Sequence, residues 1–163
     1  MSTVYIIFSI LAILCILWIL CDKRDKRYSK DTCISIKESM DLCNLPIITM
    51  YCGKTKLNFI LDTGATDNYI DSSLKGIECV KLNNESHDII GIGNTASSNT
   101  YCTIVRYKDY NFDFTFCFVD LSETFGTLKA QYGVNIHGII SSAFLREHNY
   151  IMDFEKLIAY MKK

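Results

Sequence analysis

Apolar and polar positions divide the chain into three unlike stretches. Val4 to Cys21, "VYIIFSILAILCILWILC", is apolar almost throughout and has no charge, Pro or Gly. A run of that length is about what a helix needs to cross the hydrocarbon core of a bilayer. Trp18 falls near one end, where an indole suits the headgroup boundary. Next comes "DKRDKRYSK", a basic, polar stalk. From Leu45 onward the pattern is one of short strands.

"LPIITMY" and "TKLNFIL" flank Cys52-Gly53-Lys54 and predict a hairpin. "NYIDSSL" starts as a strand and dissolves into a polar turn, and "CVKL" is a further short strand. "HDIIGIGN" and "NTYCTIVRY" flank a small polar loop and predict a second hairpin. "YNFDFTFCFVD" alternates with period two and is the clearest strand of the chain. "LSETFGTLKAQYGVN" lacks that alternation and reads as a short helix or an irregular excursion. "IHGII" is a strand. "SSAFLREHN" is a short helix with Ser141 or Ser142 as its N-cap. "YIMDF" and "LIAYM" are the last strands. The expected fold is mostly β: a small closed barrel with one short C-terminal helix, preceded by a single N-terminal transmembrane helix. The expected organisation is an anchor over 1–21, a basic stalk over 22–44 and a folded domain over 45–163.

Charge gives the anchor a direction. Lys23, Arg24, Lys26, Arg27 and Lys30 follow it, and no Lys or Arg precedes it. The positive side is expected to stay cytoplasmic, which places the β domain there in a single-pass protein. A secretory signal would need a basic start, and a lipoprotein signal ending at Cys21 would need a small residue where Leu20 stands. Lipid is therefore an expected contact of the N-terminal helix, with headgroups against the stalk. The formal net charge of -1 gives no footing for nucleic acid.

The eight cysteines include no C-x-x-C pair and no Cys/His cluster at zinc spacing, so no metal or other cofactor is expected. Several sit in apolar runs such as "TMYCG" and "FTFCFV", where a thiol acts as a small hydrophobe, and reduced thiols are expected. His87, His137 and His148 lie far apart and read as packing or surface residues. Ser97-Ser98 and Ser141-Ser142 lack the context of a nucleophile elbow.

The chemistry concentrates in "NFILDTGATDNYI". An apolar strand ends there on Asp62, beside Thr63 and Gly64. A carboxylate at such a place costs desolvation unless a turn supplies donors. Gly64 lets backbone N–H groups approach it, and Thr63 brings a hydroxyl for a local or cross-subunit hydrogen bond. By itself the tripeptide also suits an ordinary Asp turn between strands.

"FILDTGATDNYI" resembles the active-site motif of the retropepsin-like aspartic proteases, of the membrane-anchored cellular and bacterial type. "DIIGIGNTASSN" resembles the glycine-bearing flap of that family through Ile90, Gly91, Ile92 and Gly93. "IHGIISSAFLREHNYIMDF" resembles its closing segment. The resemblance runs from about Leu45 to Tyr160. It implies a catalytic Asp62, an active-site turn of Thr63, Gly64, Ala65 and Thr66, a flap at Ile90–Gly93, and a structural Asp153. It implies an endopeptidase acting on protein or peptide substrates through water held between two carboxylates. No second Asp-Thr-Gly occurs, so the second acid is expected from another copy of the chain, in a homodimer. Ala65 cannot donate to the carboxylate as a Ser would, so activity is expected to extend toward neutral pH. Three departures stand out: Asn94 and Ser141 replace glycines common in the family, and the Gly-Arg-Asp/Asn sequence of viral members is absent. The alternative is a catalytically silent domain on the same anchor that binds peptide by strand addition.

Overall fold

The computed structural model describes residues 11, 13–17, 31–74, 76–82, 87–92 and 94–162, with backbone alone for 87–92 and 94–97. Residues 11 and 13–17 are helical. The rest of the expected anchor and residues 22–30 of the stalk lie outside the described residues. Among the described residues no helix is long and apolar enough to cross a membrane.

Among the described residues, twelve strands and three further helices follow. They are β1 (Ile34–Ser35), α1 (Lys37–Cys43), β2 (Ile47–Cys52), β3 (Thr55–Asp62), β4 (Asn68–Asp71), β5 (Val80–Lys81), β6 (His87–Ile92) and β7 (Asn94–Ser98). Then come β8 (Thr100–Tyr107), β9 (Tyr110–Val119), α2 (Ser122–Tyr132), β10 (Gly138–Ser141), α3 (Ser142–Glu147), β11 (Tyr150–Asp153) and β12 (Ile158–Met161). The main sheet runs β2-β3-β10-β4-β9-β8-β5, and β2 also pairs with β8. That extra pairing closes six strands into a barrel and leaves β5 outside the ring, on the edge of β8. The expected mostly β, closed-barrel class with a short C-terminal helix is what the chain forms.

Period two fills the barrel. Along β9, Phe112, Phe114 and Phe116 are buried while Asn111, Asp113 and Thr115 are exposed. Phe114 meets Phe59 of β3 at 5.3 Å between ring centroids and Phe144 of α3 at 5.6 Å. Burying each such ring contributes about 2–3 kcal/mol, and tilted ring pairs add about 1 kcal/mol. The segment α3 therefore acts as a plug, with Phe144 and Leu145 facing inward.

One end of the core is covered by a second, three-stranded sheet, β1-β12-β11. Ile34 opposes Ala159, and both Ile34 and Ile36 are buried in the main core. Tyr150 donates to the carbonyl of Thr32, and Tyr107 to that of Cys33. The expected stalk, 22–44, thus contains residues that pack with the barrel. A two-residue strand followed by a seven-residue helix is too short for periodicity to reveal.

The second hairpin also differs from expectation. The ribbon partner of β6 is β7, the small polar stretch read as a loop, while β8 pairs with β9. A two-stranded ribbon outside the barrel is not tied to the barrel's register, so alternation is a poor guide there.

His137 shows how the barrel uses a half-buried imidazole. It precedes β10, and its Nδ1 accepts the Asn58 amide at 2.9 Å. Burial pushes it below the ordinary 6.5; the Asp71 charge pulls the other way. Accepting at Nδ1 requires the neutral ring. The unfolded chain then takes up the proton at higher pH than the folded one. The contribution is complete above about pH 6.5 and is lost as pH falls below it. In urea titrations at a series of pH values, His137→Gln is expected to flatten the decline between pH 6.5 and 5.

Candidate active site

The order β3-β10-β4 sets the geometry of the Asp62 turn. Strand β10 lies parallel to β3 and antiparallel to β4. The link from Asp62 to Asn68 therefore passes over the end of β10, where Ser141 stands opposite Asp62. An apolar strand had to stop here, because its chain crosses a neighbour and returns on the far side.

The turn is built around the carboxylate. Gly64 N–H donates to Asp62 Oδ1 at 2.8 Å, and Ala65 N–H to the Asp62 carbonyl at 3.2 Å. A Cβ on Gly64 would lie 3.2 Å from that same Oδ1, so a side chain here would crowd the acid. Asp62 is half-buried, while Thr63, Gly64, Thr66 and Asp67 are exposed. Ala65 is half-buried and packs against Tyr69, Cys117, Val119 and their neighbours. Its carbonyl accepts both the amide (3.1 Å) and the hydroxyl (2.9 Å) of Ser142, which ties the turn to the start of α3. Thr66 donates to Asp67 Oδ2 at 2.8 Å. Burial pushes the Tyr69 phenol up, the Asp67 charge adds to this, and a hydrogen bond with Thr66 opposes it.

Beneath the turn lies a network that sequence patterns do not announce. Asn68 Oδ1 accepts both the amide (2.8 Å) and the hydroxyl (3.0 Å) of Ser141, and its Nδ2 donates to the Thr115 carbonyl at 2.8 Å. One side chain thus joins β4, β10 and β9 directly under Asp62. Ser141 is fully buried, and it stands at the N-cap of α3 with its hydroxyl directed to Asn68 rather than to the helix. Ser141 is therefore accommodated by a specific partner. The available signal was a polar residue opening the otherwise apolar "NYI". Asn68→Ala would leave the Ser141 amide and the Thr115 carbonyl without this partner. It is expected to destabilise the barrel by about 2 kcal/mol, read as a lowered urea midpoint with unchanged slope.

The other sequence candidates fall elsewhere. Ile90, Gly91 and Ile92 lie on β6, in the separate β6–β7 ribbon, with Ile92 opposite Asn94 and a register shift between Ile89 and Ile92. Gly93 lies outside the described residues. The ribbon's second strand ends at Ser98, whose hydroxyl donates to the Phe118 carbonyl of β9 at 2.8 Å. Asp153 accepts the Lys156 amide at 2.9 Å in the β11–β12 turn. His148 packs at a tilt against Phe144, with ring centroids 4.3 Å apart. Every cysteine among the described residues is a free thiol, and no group of three His, Cys, Asp or Glu among them is placed to hold a metal.

One chain thus presents one half-exposed carboxylate in a turn held from below. No family model matches this chain, and no curated protein matches it either.

Proposed function

We propose that the protein is a retropepsin-like, membrane-anchored aspartic endopeptidase that works as a homodimer. The observation that carries this reading is the Asp62-Thr63-Gly64 turn, fixed by β10, Asn68 and α3 yet open to solvent. A structural Asp turn has no need of such support. Two copies meeting at these turns would bring two Asp62 carboxylates together. Sharing one proton, the ionised acid takes a proton from water while the protonated one donates to the substrate carbonyl. Thr63 fits a cross-subunit role, since its exposed hydroxyl makes no hydrogen bond among the described residues. The glycine-bearing β6–β7 ribbon would supply the flap.

The anchor supports the dimer by mass action. Confinement to a bilayer raises the effective concentration of protomers, so a weak interface suffices. Helical residues 11 and 13–17 agree with this part of the reading, because Leu11, Ile13, Leu14, Ile16 and Leu17 are each more than half exposed. The basic stalk supports a barrel on the cytoplasmic side.

The test is hydrolysis of a peptide library by the full chain in vesicles, at a series of protein-to-lipid ratios. Turnover per protomer is expected to rise with surface density and then level off as the dimer saturates. Retention of peptide without turnover at every density would replace the enzyme with the peptide-binding alternative.

A further inference from the structure

A second feature lies away from Asp62. An open groove of about 920 Å³ is lined by Tyr51, Cys52, Val80, Leu82, Ile104 and Arg106, among others. It sits where the barrel seam divides. Strand β8 pairs with β5 at Tyr101 and Cys102 and with β2 at Val105 and Arg106, so Thr103 and Ile104 fall between the two partners. Its apolar side chains are open to solvent: Val80 is 68% exposed, Ile104 56% and Leu82 50%. Gly53, on its rim, precedes β3, whereas Asp62 ends that strand, about 23 Å from its first residue at ~3.3 Å per residue. The groove is therefore distinct from the candidate active site.

The chain's own tether indicates what covers it. The Cys33 carbonyl accepts the hydroxyl of Tyr107, the residue after groove-lining Arg106. The chain thus meets the barrel at the end of β8 that borders the groove. From there the apolar run ending at Cys21 is at most about 40 Å away at full extension. Lys54, Lys56, Lys81, Arg106 and Lys108 surround the groove or lie close to it, against Glu78, Asp109 and Asp113. The tether adds Lys23, Arg24, Lys26, Arg27 and Lys30. Arg106 and Glu78 are the charged residues of the lining itself, and the surrounding residues add more cations than anions; apolar side chains with such an excess of positive charge suit an anionic headgroup layer with hydrocarbon beneath it. Residues 11 and 13–17 of the apolar run do not fill the groove, because their side chains are solvent-exposed.

We infer that the groove around Val80, Leu82 and Ile104 seats on the anionic bilayer surface that holds the N-terminal anchor. This rests on the anchoring part of the proposed function. Docking would fix the height and tilt of the barrel, so that Asp62 addresses substrate segments at a set distance from the membrane.

The test uses the full chain in phosphatidylcholine–phosphatidylserine vesicles carrying doxyl-labelled lipid as a fluorescence quencher. Trp18 is the sole tryptophan and reports on the anchor. On a Trp18→Phe background, Val80→Trp and, separately, Leu82→Trp report on the groove, and Gln131→Trp on exposed α2 is the reference. Emission at Val80→Trp and Leu82→Trp is expected to be quenched at least about twofold more than at Gln131→Trp, as interfacial insertion requires. Equal quenching at all three sites, with Trp18 strongly quenched, would overturn the docking and leave the anchor standing. An unquenched Trp18 would remove the anchor and the docking together. A blue-shifted but unquenched Val80→Trp would mean that protein, not lipid, covers the groove, and would also overturn the inference.

Discussion

Asp62→Asn in the full chain is expected to lower peptide hydrolysis by about 10³-fold or more, the scale of losing a positioned acid–base group, with no change in melting temperature. The substitution isolates chemistry from folding. The Asn carbonyl oxygen can still accept the Gly64 amide that Asp62 Oδ1 accepts at 2.8 Å, so the turn keeps its shape. Asn cannot ionise and cannot exchange a proton with water. A mixing experiment adds a sharper reading. Wild-type and Asp62→Asn chains, reconstituted together in equal amounts, are expected to retain about a quarter of the wild-type rate if each site needs an acid from both protomers. An acid pair within one chain would leave about half. Asp67 is the neighbour that makes this control necessary, because it is exposed on the same link and bonded to Thr66. Asp67→Asn is expected to retain most turnover. Loss of turnover in Asp67→Asn, with linear mixing for Asp62→Asn, would move the dyad inside the protomer.

Legibility followed the range of the interactions involved. The strand leading to Asp62 could be read because burial on β3 acts on consecutive residues. Alternation along β9 could be read because its Phe side chains all answer to one core. The insertion of β10 between β3 and β4 could not be read, since it joins residues about seventy to eighty positions apart in sequence and leaves no local pattern. The same holds for Asn68, whose partners Ser141 and Thr115 come from two other strands. Strand β1 escaped notice because its contribution is two residues, even though Ile34 and Ile36 close one end of the core. A soluble fragment starting at Leu45 would discard them, so trials of the folded domain need to begin before Thr32.

The placement of β10 also leads to the largest expected effect on stability. Gly138→Ala is expected to destabilise the protein by more than about 3 kcal/mol, beyond the usual range for an overpacked core position, and to lower its melting temperature by about 10 °C. Gly138 opposes Phe59 on one side and Ile70 on the other. A Cβ there would drive into the Tyr69 carbonyl oxygen and sit 2.9 Å from the Phe59 ring. Neither neighbour can yield cheaply. The carbonyl belongs to the backbone of β4, and Phe59 is fully buried against Phe114. Relief would require β10 to move away from β4, which would pull Ser141 from Asn68 three residues later and disturb the support of Asp62. Activity is therefore expected to fall even at temperatures where the variant remains folded. Gly126→Ala provides the contrast. That glycine lies in α2 with no atom within 4 Å of an added Cβ, so alanine is expected to be neutral or to stabilise by up to about 1 kcal/mol through helix propensity. If the two variants melted alike, β10 could not be packed between β3 and β4 as described. The turn that presents Asp62 would then lack the strand beneath it.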